Sequence, residues 1–168
     1  MTTNSGSDAP ELSHLDDRGQ ARMVDVSGKD DTVRTARARA RVELPPEVRK
    51  ALFEGTLPKG EGIGVARLAG IQAAKETSRL IPLCHHLALT AVTVEIEPSD
   101  EGGVEIRAEV RCVGPTGVEM EALTAVSVSA LALYDMCKGL SRGIRITSVE
   151  LMHKSGGKSG EWNRESTT

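Results

Sequence analysis

The chain has 168 residues, enough for one domain with a substantial buried core. Its net charge is −3, which argues against binding to nucleic acid through bulk positive charge. One Trp, one Tyr and one Phe leave no surface for stacking bases, so an RNA-binding sheet is not expected. Neither a signal segment nor a bilayer-spanning apolar run is evident, and three widely spaced cysteines form no CxxC motif. We therefore predict a cytoplasmic protein with reduced thiols and no membrane partner.

The first half of the chain predicts one strand and two helices. Residues 1–20 are small, polar and aperiodic, which predicts a disordered tail. RTARARARVEL alternates alanine with arginine and predicts a strand with a small-residue face and a basic face. LPPEVRKALFEG predicts a short helix that begins at its prolines and ends at Gly55. After a glycine loop that carries Lys59, VARLAGIQAAKETSRLI predicts a helix that stops before Pro82, with Gly70 packed closely against a neighbour.

The second half predicts a hairpin, a long helix and a last strand. TAVTVEIE and GVEIRAEVRCV alternate in polarity and are joined by the turn sequence PSDEGG. TGVEMEALTAVSVSALALYDMCKG predicts a buried helix, and GIRITSVELMHK predicts a strand whose alternation changes near Ser148. Residues 156–168 are predicted to form a flexible glycine-rich tail. The pattern favours a single α+β domain over residues 21–155, an antiparallel sheet with helices packed on one face.

The stretch KSGGKSG resembles a phosphate-binding loop but does not match the P-loop pattern. That pattern needs a glycine five positions before Gly157, where this chain has Met152. The glycines still expose backbone N–H groups, and Lys154 and Lys158 can reach a phosphate. A disordered tail is the alternative interpretation.

The stretch LIPLCHHLAL places a thiol and two imidazoles in an apolar run. Adjacent residues of an extended segment point to opposite sides, so Cys84, His85 and His86 cannot easily bind one ion. No second cluster has the spacing of zinc ligands, and we predict no metal site. The residues alone leave open whether these histidines are core residues or catalytic ones.

The end of the long helix carries a carboxylate beside an amine. Asp135 and Lys138 are three residues apart and therefore lie on one helical face. The helix dipole would raise the pKa of Asp135, whereas Lys138 would lower it. The two side chains are either an acid–base pair or a surface salt bridge. Glu119 and Glu121 lie in the first turn, where the helix dipole favours negative charge, so their presence does not by itself indicate a functional site.

Together, MVDVS, ARLAGIQAAKETSRLIPLCHHL, TGVEMEALTAVSVSALALYDMCK and KSGGKSG resemble the cyclic pyranopterin monophosphate synthases of molybdenum cofactor biosynthesis. The likeness runs from about Met23 to Trp162. It implies a ferredoxin-like fold and a homohexamer arranged as a trimer of dimers. It also implies conversion of 3′,8-cyclised dihydro-GTP to cyclic pyranopterin monophosphate and pyrophosphate, without a resident cofactor, although Mg²⁺ could accompany the triphosphate. The family usually has proline where this chain has His86.

The resemblance implies roles for particular residues. Asp135 would be the catalytic acid or base, with Lys138 beside it. The substrate would contact residues from three motifs and three basic positions: Leu83, Cys84, His85, Glu119, Met120, Glu121, Lys59, Arg34 and Lys154.

A non-catalytic, oligomeric, ferredoxin-like module that binds a nucleotide as a regulator is the alternative function. It would use the same basic residues but would not need Asp135 at a helix end. Because small-residue faces and scarce aromatic bulk limit what a monomer can bury, we expect an obligate oligomer with sites shared between chains. The expected division has Asp135, Lys138 and Leu83–His85 from one chain and Arg34 from a neighbour.

Overall fold

The computed structural model describes residue 16 and residues 18–165, so most of the tail predicted over residues 1–20 lies outside it. The described residues form five strands and three helices. In order they are β1 (Thr32–Glu43), α1 (Pro46–Phe53), α2 (Gly62–Leu80), β2 (Leu89–Pro98), β3 (Val104–Gly114), α3 (Glu119–Cys137), β4 (Arg145–Ser155) and β5 (Trp162–Asn163).

The strands form one antiparallel sheet in the order β2-β3-β1-β4-β5. Strands β1 and β3 lie at the centre and are contacted by α3, while α2 packs beside it and over β2. With the short α1 and β5 set aside, the order is β-α-β-β-α-β, which confirms the predicted α+β, ferredoxin-like fold with its helices on one face of the sheet.

The inner face of β1 is built from small side chains, as its alternating sequence predicts. Ala36, Ala38, Ala40 and Val42 are at most 2% exposed. Their small volume lets α3 lie close to the sheet, and Val126 and Leu133 of α3 are fully buried there. The core is therefore filled by aliphatic side chains rather than by aromatic rings.

The outer face of the sheet is a lattice of ion pairs. Arg39 Nη2 lies 2.7 Å from Glu150 Oε2 on β4, and Arg37 pairs with Glu109 on β3. These side chains are partly exposed, so each pair contributes on the order of 0–1 kcal/mol. The arginines predicted to form the basic face of β1 are thus matched by carboxylates from both neighbouring strands.

Helices α2 and α3 pack antiparallel through small residues. A Cβ built on Gly62, at the start of α2, would lie 3.6 Å from Met136 Cβ near the end of α3. Further along, a Cβ on Gly70 would collide with Ser129 Oγ and approach Ala125 O, which confirms the close packing predicted for this glycine. Ser129 Oγ also donates a 2.8 Å hydrogen bond to the carbonyl of Ala66. Each end of α2 therefore lies beside the opposite end of α3.

Helix α3 is the one described helix that is long and apolar enough to cross a bilayer by composition alone. The apolar composition of α3 is accounted for by its burial, because α3 is the central helix of the core and packs against β1, β3 and β4. A mostly buried core helix meets the same criteria as a spanning one.

The end of the chain turns back along β4. The pairing of β4 with β1 skips a residue beside Ser148, which matches the predicted change of alternation. Residues 156–161 then form a glycine loop, and β5 pairs with His153 and Lys154. The predicted tail thus has a described path to residue 165, while its flexibility stays a prediction.

Candidate active site

Two adjoining cavities lie at the end of the molecule where α3 begins. The first, of about 620 Å³, is named here the Arg34 cavity. The second, of about 390 Å³, is named the His85 cavity. Lys29, Thr116, Gly117 and Glu119 line both cavities, so the two share a wall.

The Arg34 cavity is basic. Lys29, Arg34, Lys154 and Lys158 line it, with Asp30 and Glu119 as its carboxylates. Arg34 is only 9% exposed; its Nε donates to the carbonyl of Gly114 (3.3 Å) and its Nη2 to that of Pro115 (3.2 Å). These bonds fix the loop before α3, and they use part of the guanidinium that the resemblance assigned to substrate.

The loop of KSGGKSG forms one wall of the Arg34 cavity. Gly156 and Gly157 have φ values of +100° and +68°, and a Cβ on either would collide with Val33 O or the Arg34 guanidinium. Only glycine fits this close approach. Lys154 Nζ bonds to Ser159 Oγ across the loop. The loop therefore places two lysines and the backbone of two glycines in the cavity wall without being a P-loop.

The His85 cavity joins the segment after α2 to the first turn of α3. Pro82 prevents further helix, and the turn closes when Cys84 N–H donates to Ile81 O (3.1 Å). Because the helices are antiparallel, this turn lies beside the start of α3. Leu83, Cys84, His85, Glu119, Met120 and Glu121, all predicted from the resemblance, line the cavity.

Glu121 is the unusual carboxyl of the His85 cavity. It is 5% exposed, and burial together with the nearby charge of Glu119 raises its pKa from 4.5 to about 7. Burial and Glu121 also raise the pKa of the Cys84 thiol. The cavity thus holds a carboxyl able to give or take a proton near neutral pH, beside a protonated thiol.

The predicted pair Asp135–Lys138 forms at the other end of α3 and gains a third member. Lys138 Nζ lies 2.7 Å from Asp135 Oδ1, and Lys59 Nζ lies 2.6 Å from Oδ2. We call these three residues the Asp135 cluster. Lys138 first and Lys59 second lower the pKa of Asp135 to about 2, so the carboxylate is ionised at neutral pH.

Within one chain the Asp135 cluster does not reach the cavities. Glu121 and Asp135 are fourteen residues apart on α3, about 21 Å at the usual helical rise. The chain therefore groups Leu83–His85 with the Arg34 end of the molecule. This differs from the expected division, in which Leu83–His85 accompanied Asp135. In the antiparallel helix pair, the end of α2 that leads into Leu83–His85 lies beside the start of α3, whereas Asp135 is at the end of α3.

Sequence reasoning did not single out Lys29, which lines both cavities. Its position in MVDVSGKDDT, four residues after Asp25, carried no spacing signal by itself. The cluster of His, Cys, Asp and Glu that a metal site needs is not found among residues 16 and 18–165. The absence of a metal requirement stays a prediction.

Comparison with known proteins agrees with the resemblance. The model of the MoaC family matches residues 23–157. A protein of Pelotomaculum thermopropionicum named cyclic pyranopterin monophosphate synthase is 58% identical, over 92% of this chain and 91% of its own length. Proteins of the same name from Thermomicrobium roseum and Brucella ovis are 54% and 55% identical, covering 92% and 90% of this chain and 94% and 92% of their own.

Proposed function

The chain belongs to the MoaC family, and from this premise we propose that it acts as a cyclic pyranopterin monophosphate synthase. In the proposed reaction, a lyase step, it converts 3′,8-cyclised dihydro-GTP to cyclic pyranopterin monophosphate and releases pyrophosphate. Apart from the relatives' names, one observation carries the proposal. A basic cavity of a size suited to a nucleotide adjoins a cavity that holds a carboxyl with a pKa of about 7.

The Arg34 cavity suits the triphosphate. Lys29, Lys154 and Lys158 supply positive charge, and Gly156 and Gly157 line the cavity with backbone that no side chain covers. Closing the cyclic phosphate expels pyrophosphate, so negative charge develops on the leaving group. Cations held in place before the reaction stabilise that charge. Mg²⁺ could enter with the triphosphate as part of the substrate.

The His85 cavity suits the ring system. The apolar side chains of Leu83 and Met120 are 36% and 38% exposed and offer a surface against which a flat heterocycle can pack. Glu121 can donate a proton to a ring nitrogen or oxygen and take it back near neutral pH. Opening the imidazole-derived ring and closing a pterin needs such transfers.

The Asp135 cluster suits proton transfer in which the lysines and the carboxylate have different roles. Asp135 is ionised and keeps two ammonium groups within 2.7 Å, so the lysines are the proton donors of the cluster and the carboxylate orients them. A regulatory nucleotide-binding module would not need a carboxylate at this helix end. It therefore favours the catalytic function over the non-catalytic alternative.

We propose that a second chain brings the Asp135 cluster to the cavities, within a homohexamer built as a trimer of dimers. The distance of about 21 Å along α3 is the support, because one substrate cannot span it and still contact both ends closely. The helices also leave apolar side chains in water, among them Leu68 at 68% and Leu131 at 59% exposure. The proposed location is the cytoplasm, consistent with three free cysteines among the described residues.

The direct test is incubation of the purified oligomer with 3′,8-cyclised dihydro-GTP, with and without a chelator. Mass spectrometry should detect cyclic pyranopterin monophosphate, and an enzymatic assay should detect one equivalent of pyrophosphate. Binding of the substrate with neither product, under conditions in which a relative is active, would replace this proposal by the regulatory module.

A further inference from the structure

The imidazole of His85 is hydrogen-bonded to the segment before β1. His85 Nε2 lies 2.8 Å from the carbonyl oxygen of Val24, which is 61 residues earlier in the chain. A carbonyl oxygen can only accept, so Nε2 carries the proton and donates it. The same nitrogen is therefore not free to exchange a proton with a substrate while this bond exists.

The bonded segment, Val24–Lys29, is a locally ordered turn. The side chains of Val24 and Val26 are half-buried and line the His85 cavity, while Asp25 and Ser27 are exposed. Asp25 Oδ1 accepts hydrogen bonds from Ser27 N (2.9 Å) and Ser27 Oγ (2.7 Å), and Lys29 N donates to Val26 O (3.0 Å). Because the turn holds its own shape, a single attachment can set the position of its end.

That attachment is His85. Among residues 18–165, it is the one side chain outside the turn that forms a hydrogen bond with it. The turn ends at Lys29, which lies in the wall shared by the Arg34 and His85 cavities. Movement of the turn would therefore move a cation at the junction of the two cavities.

We propose that His85 is a positioning residue that seats the Val24–Lys29 turn and so holds Lys29 where the triphosphate meets the ring system. This inference rests on the proposed function and extends it, since it gives the imidazole of His85 a role other than proton transfer to the substrate. It also adds Lys29 to the residues that bind the phosphates. The physical basis is preorganisation, because a cation fixed before binding loses less conformational freedom when the ligand arrives.

Hydrogen exchange tests the attachment without any substrate. In the full-length oligomer, His85→Ala should speed exchange of the Ser27 and Lys29 backbone amides, which are hydrogen-bonded within the turn, by about tenfold or more, because the turn opens more often once it is no longer attached to His85. His85→Gln should leave exchange close to wild type, because its terminal amide can donate to the same carbonyl. His86→Ala is the matched control, since the exposed His86 ring bonds Ser78 and not the turn. Unchanged exchange in His85→Ala, with the oligomer intact, would overturn the proposal.

Binding of inorganic triphosphate, measured by calorimetry, tests the consequence for Lys29. His85→Ala and Lys29→Ala should each weaken binding by about tenfold, the loss expected for one charge-assisted hydrogen bond. The double variant should be little weaker than either single one, because both remove the same contact. Losses that multiply in the double variant would show that His85 does not act through Lys29.

Steady-state kinetics with the cyclised substrate separates positioning from proton transfer. Positioning predicts that His85→Gln restores most of the activity lost in His85→Ala and that His85→Ala raises KM more than it lowers kcat. A kcat equally low in both variants, with KM unchanged, would identify His85 as a proton-transfer group and overturn the proposal. If the wild type makes no product, the proposed function fails, while exchange and triphosphate binding still decide the role of His85.

Discussion

The Asp135 carboxylate lies 2.6 Å from Lys59 Nζ, although 76 residues separate the two in the chain. Lys59 is in the loop before α2, and Asp135 is in the last turn of α3. The antiparallel packing of these helices brings the two together. Asp135 therefore belongs to a cluster with two cations, which its spacing from Lys138 alone does not indicate.

Substitution of Asp135 tests the catalytic role of the cluster. Asp135→Asn is expected to lower kcat by about 10²- to 10⁴-fold, the usual contribution of a proton-transfer group, because the lysines lose the anion that orients them. The residue is exposed, so the urea midpoint should change little. Glu54→Gln, which breaks the surface pair with Lys50, is the control and should remain active. Near-normal product formation by Asp135→Asn would refute the assignment.

Mixed oligomers test whether a site combines two chains. Asp135→Asn and Lys154→Ala affect opposite ends of the molecule, and each is expected to be inactive alone. After dissociation and reassembly together, some sites should receive a wild-type Asp135 cluster from one chain and a wild-type Arg34 cavity from another, so that activity returns. No recovery in verified mixed oligomers would place both groups in one chain's site, and a monomer by light scattering would refute the assembly itself.

The pKa of Glu121 predicts how stability depends on pH. Below pH 4.5 the carboxyl is protonated in both folded and unfolded chains, and between 4.5 and about 7 only the folded chain keeps the proton. The unfolded state then binds fewer protons, so the free energy of unfolding falls as pH rises through this window and levels off above it. Glu121→Gln should remove this decline in urea titrations at fixed protein concentration, whereas the exposed Glu47→Gln should keep it. A parallel decline in Glu121→Gln and wild type would show that Glu121 is not the titrating group.

The glycine loop offers a matched pair of substitutions. Gly157 and Gly160 have nearly equal φ values, +68° and +65°, but a Cβ at Gly157 collides with the Arg34 guanidinium and one at Gly160 meets open space. Alanine at either position carries the same backbone strain. Gly157→Ala should additionally weaken binding of inorganic triphosphate, by about tenfold if one cation contact is lost. Equal affinities in the two alanine variants would mean that the loop does not contribute to the phosphate site.

Cys84→Ser is expected to retain measurable activity. Burial and the nearby Glu121 raise the pKa of the thiol, so it is protonated at neutral pH and a poor nucleophile. A hydroxyl of similar size can keep the lining of the His85 cavity. Stoichiometric zinc in the purified wild type that is lost in Cys84→Ser would show instead that the thiol binds metal.

The sequence by itself determined the three helices and strands β1 to β4, whereas β5 lies in the segment predicted to be a tail. Alternation gave the inner faces of β1 and β3, and Pro82 marked the end of α2 within two residues, because these signals act between neighbours in the chain. The motifs also indicated the family, and the comparisons agree. Gly70 even predicted a close contact, although not its partner.

Only the tertiary structure decided which of these groups meet. Lys59 joins Asp135, His85 bonds to Val24, and Leu83–His85 lies with Glu121 rather than with Asp135. Each result depends on the antiparallel order of α2 and α3 or on the path of the chain before β1, which no local pattern encodes. The raised pKa of Glu121 has the same origin, because burial, and not its place in a helical first turn, removes the water that would stabilise its charge.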